Sequence, residues 1–482
     1  MENVIENLIE DIITNSIELH NNRIESSENS INSVNSIEKE KIVFIDGILI
    51  LGGDNEKQVW KQSNNFFILN ENFLKISLSP MIYGKCLFGM EKYLHYLFIF
   101  GGFNGQHCTN NIHRYNFLTN QWDDIGVLVE KRTGCISVLD EKNHKIYIMG
   151  GTQKRKIVCT IEEYDLISGI SKEFIKSNYE RTCGGAILYD ENIYMFGGSK
   201  SKKDLHLEIL NIKTKNFTIK ENIIFNKTGI AYCFSFMDKL PCIFIVCGET
   251  FNYECKKKKI YTNDFYYYDI NNDSLNELPS PIHNRTYCSL VVRKNELYLV
   301  GGYNGNKVVS DIEIFSLTDK KWILKSNDNI TKCGSGVINI ESQTFVSKGN
   351  IINNKLEGLC EIYNNNKLIS KGYYKNGKKE GKFEELDVTR YYENDIILSS
   401  YQFKLMKKLS KVKIPLNFLC PISHEIMLDP VITSSGITYE KKNIVKWIDD
   451  NKIDPSTREQ IDDKLYKNII LKNIIEEFID NL

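Results

Sequence analysis

A short apolar segment ending in two small residues recurs six times along this chain, at intervals near fifty residues. The first small residues of successive copies are 49, 49, 47, 50 and 54 positions apart. One Gly-Gly after a strand means little, but a steady period of this length indicates a repeat architecture whose units pack on their neighbours. The pairs are Gly52-Gly53, Gly101-Gly102, Gly150-Gly151, Gly197-Gly198, Cys247-Gly248 and Gly301-Gly302.

Aromatic residues recur in step with these pairs. Fourteen residues after the first glycine comes an aromatic in four copies, at Phe66, Tyr115, Tyr164 and Phe315. The fourth copy departs, with Asn211 at that position, and in the fifth Tyr268 follows Cys247 by twenty-one residues. The pattern resembles the kelch repeat, whose units are four-stranded blades of a β-propeller. The resemblance implies a mainly β fold with a propeller over residues 40–345. A last strand near 337–340 either closes a six-bladed ring or begins a seventh blade.

Basic residues precede five of the small pairs by 16 to 20 positions. In a kelch blade such positions lie just before the first strand, where the loops between blades meet. Five cations near one axis would attract an acidic peptide, so we predict that they bind substrate. The alternative is that they tie loop carbonyls together. The five are Lys85, Arg132, Arg181, Lys227 and Arg285.

Three other segments carry weaker signals. Residues 1–39 predict an amphipathic helix, packed on a neighbour or docking a partner, and a Ser/Asn-rich linker. The lysine run at 256–259 predicts a solvated loop tip or a substrate contact.

Residues 346–395 contain two copies of a motif offset by twenty-three residues, which resemble MORN-type hairpin repeats. We interpret them as a small β-sheet acting as a spacer, followed by a connector at 396–411.

The last seventy residues carry an ordered set of motifs. The motifs are Ile414-Pro415, Phe418 to Ile422, Asp429-Pro430-Val431, Gly436 to Tyr439, Trp447 and Asp454 to Arg458. Over residues 412–482 this set resembles the U-box, the zinc-free relative of the RING domain. A RING domain holds two zinc ions with about eight Cys and His ligands, whereas this segment offers only Cys420 and His424.

The U-box resemblance implies roles for particular residues. Ile422, Trp447 and Pro455 match the contacts to a ubiquitin-conjugating enzyme (E2), and Arg458 matches the position that bridges E2 and ubiquitin. The resemblance also implies that buried hydrogen bonds and ion pairs replace the metal. Candidate participants are Glu425, Asp429, Ser434 and Ser435. Cys420 is predicted to be a buried structural thiol rather than a thioester-forming cysteine of the HECT type.

Composition limits the remaining possibilities. The net charge of -1 over 482 residues gives no bulk attraction to nucleic acid or to an anionic membrane. The start lacks a signal-peptide pattern, no apolar run predicts a membrane span, and the thirteen cysteines form no CxxC pair. These features predict a cytoplasmic or nuclear protein without a cofactor.

Together the motifs predict an E3 ubiquitin-protein ligase without a covalent ubiquitin intermediate. Its partners would be a charged E2, ubiquitin and a protein substrate on the propeller. The alternative is a non-catalytic kelch scaffold with an E2-binding but inactive U-box.

Overall fold

A computed structural model describes residues 38–54, 62–154, 156–198, 204–252, 258–325, 332–353, 355–386, 388–393, 395–398, 412, 414–424, 426–451, 453–462 and 464–480. The helix predicted near the N-terminus, most of the connector predicted at 396–411, and the tip of the lysine-rich loop lie outside these ranges. No helix within the described ranges is long and apolar enough to cross a membrane.

Six antiparallel four-stranded units repeat along residues 38–352. The first unit joins β1 (Glu38–Leu51), β2 (Phe66–Leu69) and β3 (Lys75–Ser77) to β26 (Gly336–Ile352). The second and third units contain β4 (Gly89–Tyr93), β5 (Tyr96–Phe100), β6 (Asn111–Asn116), β7 (Gln121–Val127), β8 (Ile136–Asp140), β9 (Lys145–Met149), β12 (Thr160–Asp165) and β13 (Ile170–Lys176). A small hairpin, β10 (Thr152–Gln153) and β11 (Lys156–Ile157), extends from the third.

The other three units follow the same plan. They contain β14 (Gly185–Tyr189), β15 (Asn192–Phe196), β16 (His206–Asn211), β17 (Phe217–Ile224), β18 (Ala231–Met237), β19 (Leu240–Asn252), β20 (Lys258–Asp269), β21 (Ser274–Leu278), β22 (Ser289–Arg293), β23 (Glu296–Val300), β24 (Ile312–Ser316) and β25 (Lys321–Lys325). The innermost strands β4, β8, β14, β18 and β22 contact one another in that order, and β26 contacts both β22 and β4. The units are therefore the blades of a closed six-bladed propeller, and the late strand closes the ring.

Two rings of backbone hydrogen bonds hold adjacent blades together. In the inner ring each N–H donates to the carbonyl of the equivalent residue in the preceding blade, over 2.7–2.9 Å. Its members all have a positive φ and are Leu87, Gly134, Cys183, Gly229, Tyr287 and Gly334. In the second ring the N–H of the second residue of each small pair donates across the blade boundary, also over 2.7–2.9 Å. Its acceptors are the carbonyls of Lys85, Arg132, Arg181, Lys227, Arg285 and Lys332.

The second ring explains why the small pairs recur. A Cβ at Gly150 would lie 2.4 Å from the carbonyl oxygen of Arg181, and Gly150 has a φ of +64°. Only glycine fits such a close backbone approach without strain. Cys247 takes the same conformation in the fifth blade, with a φ of 63°.

The repeated aromatics pack between neighbouring blades. The rings of Phe66 and Tyr115 lie 4.7 Å apart, and those of Phe265 and Phe315 lie 4.9 Å apart. Tyr268 pairs with Ile243 in the register that Tyr164 has with Ile146. The longer spacing in the fifth blade comes from an extended β19–β20 hairpin, which stays paired out to Asn252 and Lys258. In the fourth blade Leu210, not Asn211, has this register and is fully buried.

A meander continues outward from the first blade. Its strands are β27 (Lys355–Asn364), β28 (Lys367–Lys375), β29 (Lys378–Glu385), β30 (Val388–Glu393) and β31 (Ile396–Leu398). It shares a hydrophobic core with the first two blades, where Phe345 stacks on Phe117 with ring centroids 6.0 Å apart. Because β26 belongs to both the propeller and the meander, the boundary predicted at residue 345 falls inside one strand.

The C-terminal segment forms an α+β unit with its own core. Its elements are a 3-10 helix (Leu416–Phe418), β32 (Pro430–Ile432), β33 (Thr438–Glu440), helix α1 (Lys441–Asn451), β34 (Tyr466–Lys467) and helix α2 (Ile469–Asp480). Ile444 and Ile448 of α1 share one hydrophobic core with Ile475 and Ile479 of α2, and in each helix the two residues are four apart and so lie on one face.

Candidate functional site

Two loops of the C-terminal unit are held on a common framework. The first loop, residues 419–429, follows the 3-10 helix, and the second loop, residues 453–460, follows α1. Between them the β32–β33 hairpin turns at residues 433–437, where the Thr433 N–H donates to the Ile437 carbonyl over 3.0 Å and Gly436 has a positive φ. Asn468 caps α2, since its Oδ1 accepts from the Leu471 N–H over 3.1 Å.

Asp454 is the centre of the second loop. Its buried carboxylate accepts hydrogen bonds from the Ser435 hydroxyl and the Tyr439 hydroxyl, each over 2.6 Å. It also accepts from the N–H groups of Ser456 and Thr457 over 2.8 and 3.0 Å. These bonds tie the second loop to the hairpin through a single side chain.

The same hydrogen bonds determine the charge of that carboxylate. Burial by itself would raise the pKa of Asp454. The donors from Ser435, Tyr439, Thr457 and Ser456 stabilise the ionised form and lower its pKa to about 2. Asp454 is therefore ionised throughout the physiological range.

A second carboxylate fixes the first loop. Glu440, at the end of β33, accepts from the N–H groups of Leu428 and Asp429 over 2.7 and 2.9 Å. The buried Cys420 thiol accepts from the Glu440 N–H over 3.3 Å and from Asn443 Nδ2 over 3.6 Å. Burial would raise the pKa of Cys420, but the backbone donors around it and Asn443 lower it overall. Cys420 is enclosed by the loop and is not presented at the surface.

Both loops are bound to one face of helix α1. Asn443 Nδ2 donates to the Ser423 hydroxyl of the first loop over 2.9 Å. One turn later on the helix, the Trp447 indole N–H donates to the Ile453 carbonyl of the second loop over 2.7 Å. Positions four apart share a helix face, so the two loops flank a single groove along α1.

The four residues predicted for E2 and ubiquitin contact lie in these two loops and on α1. Ile422 precedes Ser423 in the first loop, and Ile422 and Trp447 are both half-buried against the core of the unit. Pro455 follows Asp454 in the second loop and is half-buried, and Arg458 lies further along it with an exposed side chain. Their roles remain predictions.

The network that orders this unit differs in part from the sequence prediction. Ser435 takes part as predicted, whereas Ser434 only accepts a 3.4 Å bond from the Asp462 N–H, and Glu425 lies outside the described residues. Asp429 contributes its backbone N–H rather than its carboxylate. Sequence reasoning missed Asp454 and Glu440. The Asp before Pro455 and the acid beside Tyr439 were visible, but their buried partners come from distant segments.

The predicted ring of substrate-binding cations requires a correction. Lys85, Arg132 and Arg285 are fully buried and Arg181 is 3 % exposed. Each donates to the carbonyl of the first glycine of its own blade, at Gly101, Gly150, Gly301 and Gly197, over 2.8–3.1 Å. These four side chains fix backbone carbonyls, which was the alternative interpretation, and as placed here they do not reach a peptide on the surface.

Neighbouring acids complete the environment of the arginines. Arg132 pairs with Glu162 over 2.6 Å, and Arg285 pairs with Glu313 over 2.5 Å. Lys227 keeps partial exposure and pairs with Asp264. In the lysine-rich loop Lys259 is bound to Glu249 over 3.0 Å.

Comparison with known proteins agrees with this architecture. Residues 414–481 match the U-box domain family, and residues 85–126 and 284–327 match the Kelch motif. The C-terminal unit is therefore a U-box domain, and the propeller carries kelch motifs.

The similar curated proteins match through the U-box. "Probable bifunctional E2/E3 enzyme R795" of Acanthamoeba polyphaga mimivirus is 50% identical over 64 residues, which are 13% of this chain and 5% of that protein. "E3 ubiquitin-protein ligase PUB24" of Arabidopsis thaliana is 44% identical over 70 residues, 14% of this chain and 15% of that protein. The chain thus spans a small part of the length of these relatives. The solved "Structure of YjhT" aligns with 55% of this chain and 92% of its own, at 15% identity and a TM-score of 0.46.

Proposed function

We propose that this chain is an E3 ubiquitin-protein ligase whose U-box recruits a ubiquitin-charged E2 and whose propeller holds a protein substrate. The observation that carries the proposal is the U-box match together with two loops tied to one face of α1. A relative that shares 44% of the aligned residues is named an E3 ubiquitin-protein ligase.

The proposed chemistry needs no nucleophile on this chain. The E2 cysteine carries the ubiquitin thioester, and Ile422, Trp447 and Pro455 supply a half-buried apolar contact for the E2 loops. Arg458 offers a planar cation with several donors, which suits simultaneous contact with E2 and the ubiquitin tail. Restricting that tail to reactive conformations lowers the entropy cost of attack by a substrate lysine.

The test is ubiquitin transfer by the full chain. Purified protein is mixed with E1, ubiquitin, ATP and a panel of E2 enzymes, and the release of ubiquitin from each charged E2 to free lysine is followed. We expect one or more E2 enzymes to be accelerated, and Ile422→Ala to reduce that acceleration at least about tenfold, a cost of one lost apolar contact.

A matched control variant distinguishes the loss of an E2 contact from the loss of U-box folding. Ile470 is 75% exposed on α2, so Ile470→Ala removes the same side-chain atoms at a site outside the groove. It should discharge E2 as the wild type does. Failure of every E2, or equal activity of the wild type and Ile422→Ala, would refute the proposal.

The alternative is a scaffold whose U-box binds E2 without activating it. In that case the wild type would bind a charged E2 in a pull-down but leave its discharge rate unchanged, and Arg458→Ala would alter neither measurement.

A further inference from the structure

The centre of the propeller contains a cavity of about 410 Å³, lined by residues of all six innermost strands or their starts. Each of these strands begins just after a member of the inner hydrogen-bond ring. Leu87, Cys183 and Tyr287 alternate with glycines around the inner ring, and their side chains pack over those glycines. A Cβ on Gly134, for example, would lie 2.6 Å from Cys183 Sγ. The inner ring therefore narrows the cavity at the end where the innermost strands begin. From there the cavity extends along these strands toward their hairpin turns.

Glu91 is the one charged side chain among the described residues that line this cavity. Its carboxylate accepts a hydrogen bond from the Ser137 hydroxyl over 2.9 Å. The adjacent Lys92 points away, with its ammonium 5.7 Å from the ring of Phe345. Glu91 thus occupies the interior of the propeller without a cation from the lining.

Four buried carboxylates of the propeller bond a cation, whereas Glu91, which is partly exposed to the cavity, does not among the described residues. Glu162 and Glu313 each bond an arginine, and Glu163 bonds Lys145 over 2.7 Å. Glu249 bonds Lys259. A partly buried carboxylate that lacks such a partner is stabilised by a cation supplied from outside.

Aromatic rings stand where the cavity approaches the strand turns. Phe234 lines the cavity and stacks on Tyr189, with ring centroids 4.9 Å apart. Phe236, 53% exposed, meets Phe234 edge-on at 5.4 Å. Aromatic faces attract cations and accept alkyl chains, so this end suits a ligand with both.

We propose that the central cavity of the propeller binds an organic cation, a primary ammonium or guanidinium group on a short alkyl chain, whose charge meets the Glu91 carboxylate. The alkyl chain passes the Phe234 and Phe236 rings. The site lies on the propeller, and its occupancy does not depend on ubiquitin transfer by the U-box.

Titration of Glu91 gives the site a pH signature. Burial raises the pKa of Glu91 to about 7, against the smaller opposing effect of Ser137. The groups facing it are Tyr232 and Cys135, whose pKa values burial raises, so both stay neutral near pH 7. An alkylammonium keeps its charge from pH 6 to 8. Affinity should therefore fall about tenfold from about pH 8 to about pH 6, as the carboxylate becomes protonated.

Calorimetric titration of the full chain with n-butylamine tests the site, with 1-butanol as the neutral isostere. We expect butylamine to bind at about pH 8, butanol not to bind, and Glu91→Gln to weaken butylamine at least tenfold. Glu173→Gln, the same change on the exposed outer strand β13, should bind as the wild type does. Equal binding of butanol, no binding of butylamine, or unchanged affinity in Glu91→Gln would overturn the proposal.

Two further measurements make the outcome unambiguous. If Glu91→Gln fails to fold, the pH dependence of the wild type decides, because equal affinity at the two pH values contradicts a role for this carboxylate. The source of the cation is tested with the peptide acetyl-Ser-Gly-Lys-Gly-Ser-amide and its norleucine counterpart. Tighter binding of the lysine peptide than of butylamine identifies a protein-borne cation, and exclusion of the peptide identifies a free small molecule.

Discussion

Replacing Asp454 with Asn should loosen the second loop of the U-box more than any other single polar change in that domain. The carboxylate accepts from three hydroxyls, of Ser435, Tyr439 and Thr433, and from two backbone N–H groups, of Ser456 and Thr457. Asparagine presents one oxygen and one NH₂ group to the same five donors, so some donors lose their acceptor and the remaining bonds lose their charge.

The magnitude can be approached in two ways. The pKa of Asp454 falls from 3.8 to about 2, which corresponds to roughly 2 kcal/mol. Because Ser456 and Thr457 are exposed beside it, solvent screening reduces this to roughly 1–2 kcal/mol. Hydrogen bonds to a charged group contribute about 1.5–3 kcal/mol. A loss of about 2 kcal/mol satisfies both.

Hydrogen exchange of the full chain, read by mass spectrometry, measures this change within the U-box. Amides of α1 and of the β32–β33 hairpin should exchange about thirtyfold faster in Asp454→Asn, while propeller peptides are unchanged. In the wild type, lowering the pH should weaken the protection of the same peptides against hydrogen exchange. Because the folded pKa is lowered, Asp454 contributes fully above about pH 4, and its contribution disappears as pH falls through about 2.

Asp462→Asn is the matched control. Asp462 is exposed and follows the second loop, so the same chemical change should alter exchange by less than about threefold, within the ordinary range of surface substitutions. If Asp454→Asn exchanges like Asp462→Asn, the carboxylate does not organise the loop and the reasoning is wrong.

Three other changes probe the remaining conclusions. Arg458→Glu should slow E2 discharge at least about tenfold while U-box exchange stays constant, because the charge of the exposed residue proposed to bridge E2 and ubiquitin is inverted. Gly150→Ala should cost the propeller more than about 2 kcal/mol in thermal unfolding, whereas Gly169→Ala, at a similar φ of +69° but with its nearest neighbour 3.8 Å away, should cost about 1 kcal/mol. Arg285→Met should cost about 3–5 kcal/mol, and adding Glu313→Gln should recover part of it, since the unpaired buried charge is then removed. Equal melting temperatures of either pair would contradict these accounts.

The repeat pattern allowed much of the fold to be predicted. The small pairs, the aromatics in step with them and the apolar strands predicted blades, and the displaced Tyr268 was placed in its correct register. The C-terminal domain was predicted from its ordered motifs, and residues 414–481 match the U-box family. These features depend on neighbours in sequence, so periodicity shows them directly.

The direction in which the regularly spaced cationic side chains point could not be predicted in the same way. Their regular positions fitted both a surface ring and an internal tie to carbonyls. Which of these two interpretations holds depends on where the Gly150 carbonyl lies relative to Arg132 once the blades have closed. The same is true of the corresponding pair in each of the other blades. The same holds for Asp454, whose donors come from segments on either side of α1.

The sequence by itself therefore determined the kind of units, which are β-propeller blades, a short hairpin sheet and a zinc-free C-terminal domain. Local spacing and residue type are sufficient for this, because a strand or helix is specified by its own residues. The sequence left six and seven blades open, and the contacts of β26 with β22 and β4 decided on six. Tertiary structure alone decided which polar groups face solvent and which are enclosed. In the folded chain four predicted surface cations are buried, Glu91 has no cation beside it in the described lining of the central cavity, and two U-box loops bind one helix. All three depend on contacts between segments that are distant in sequence.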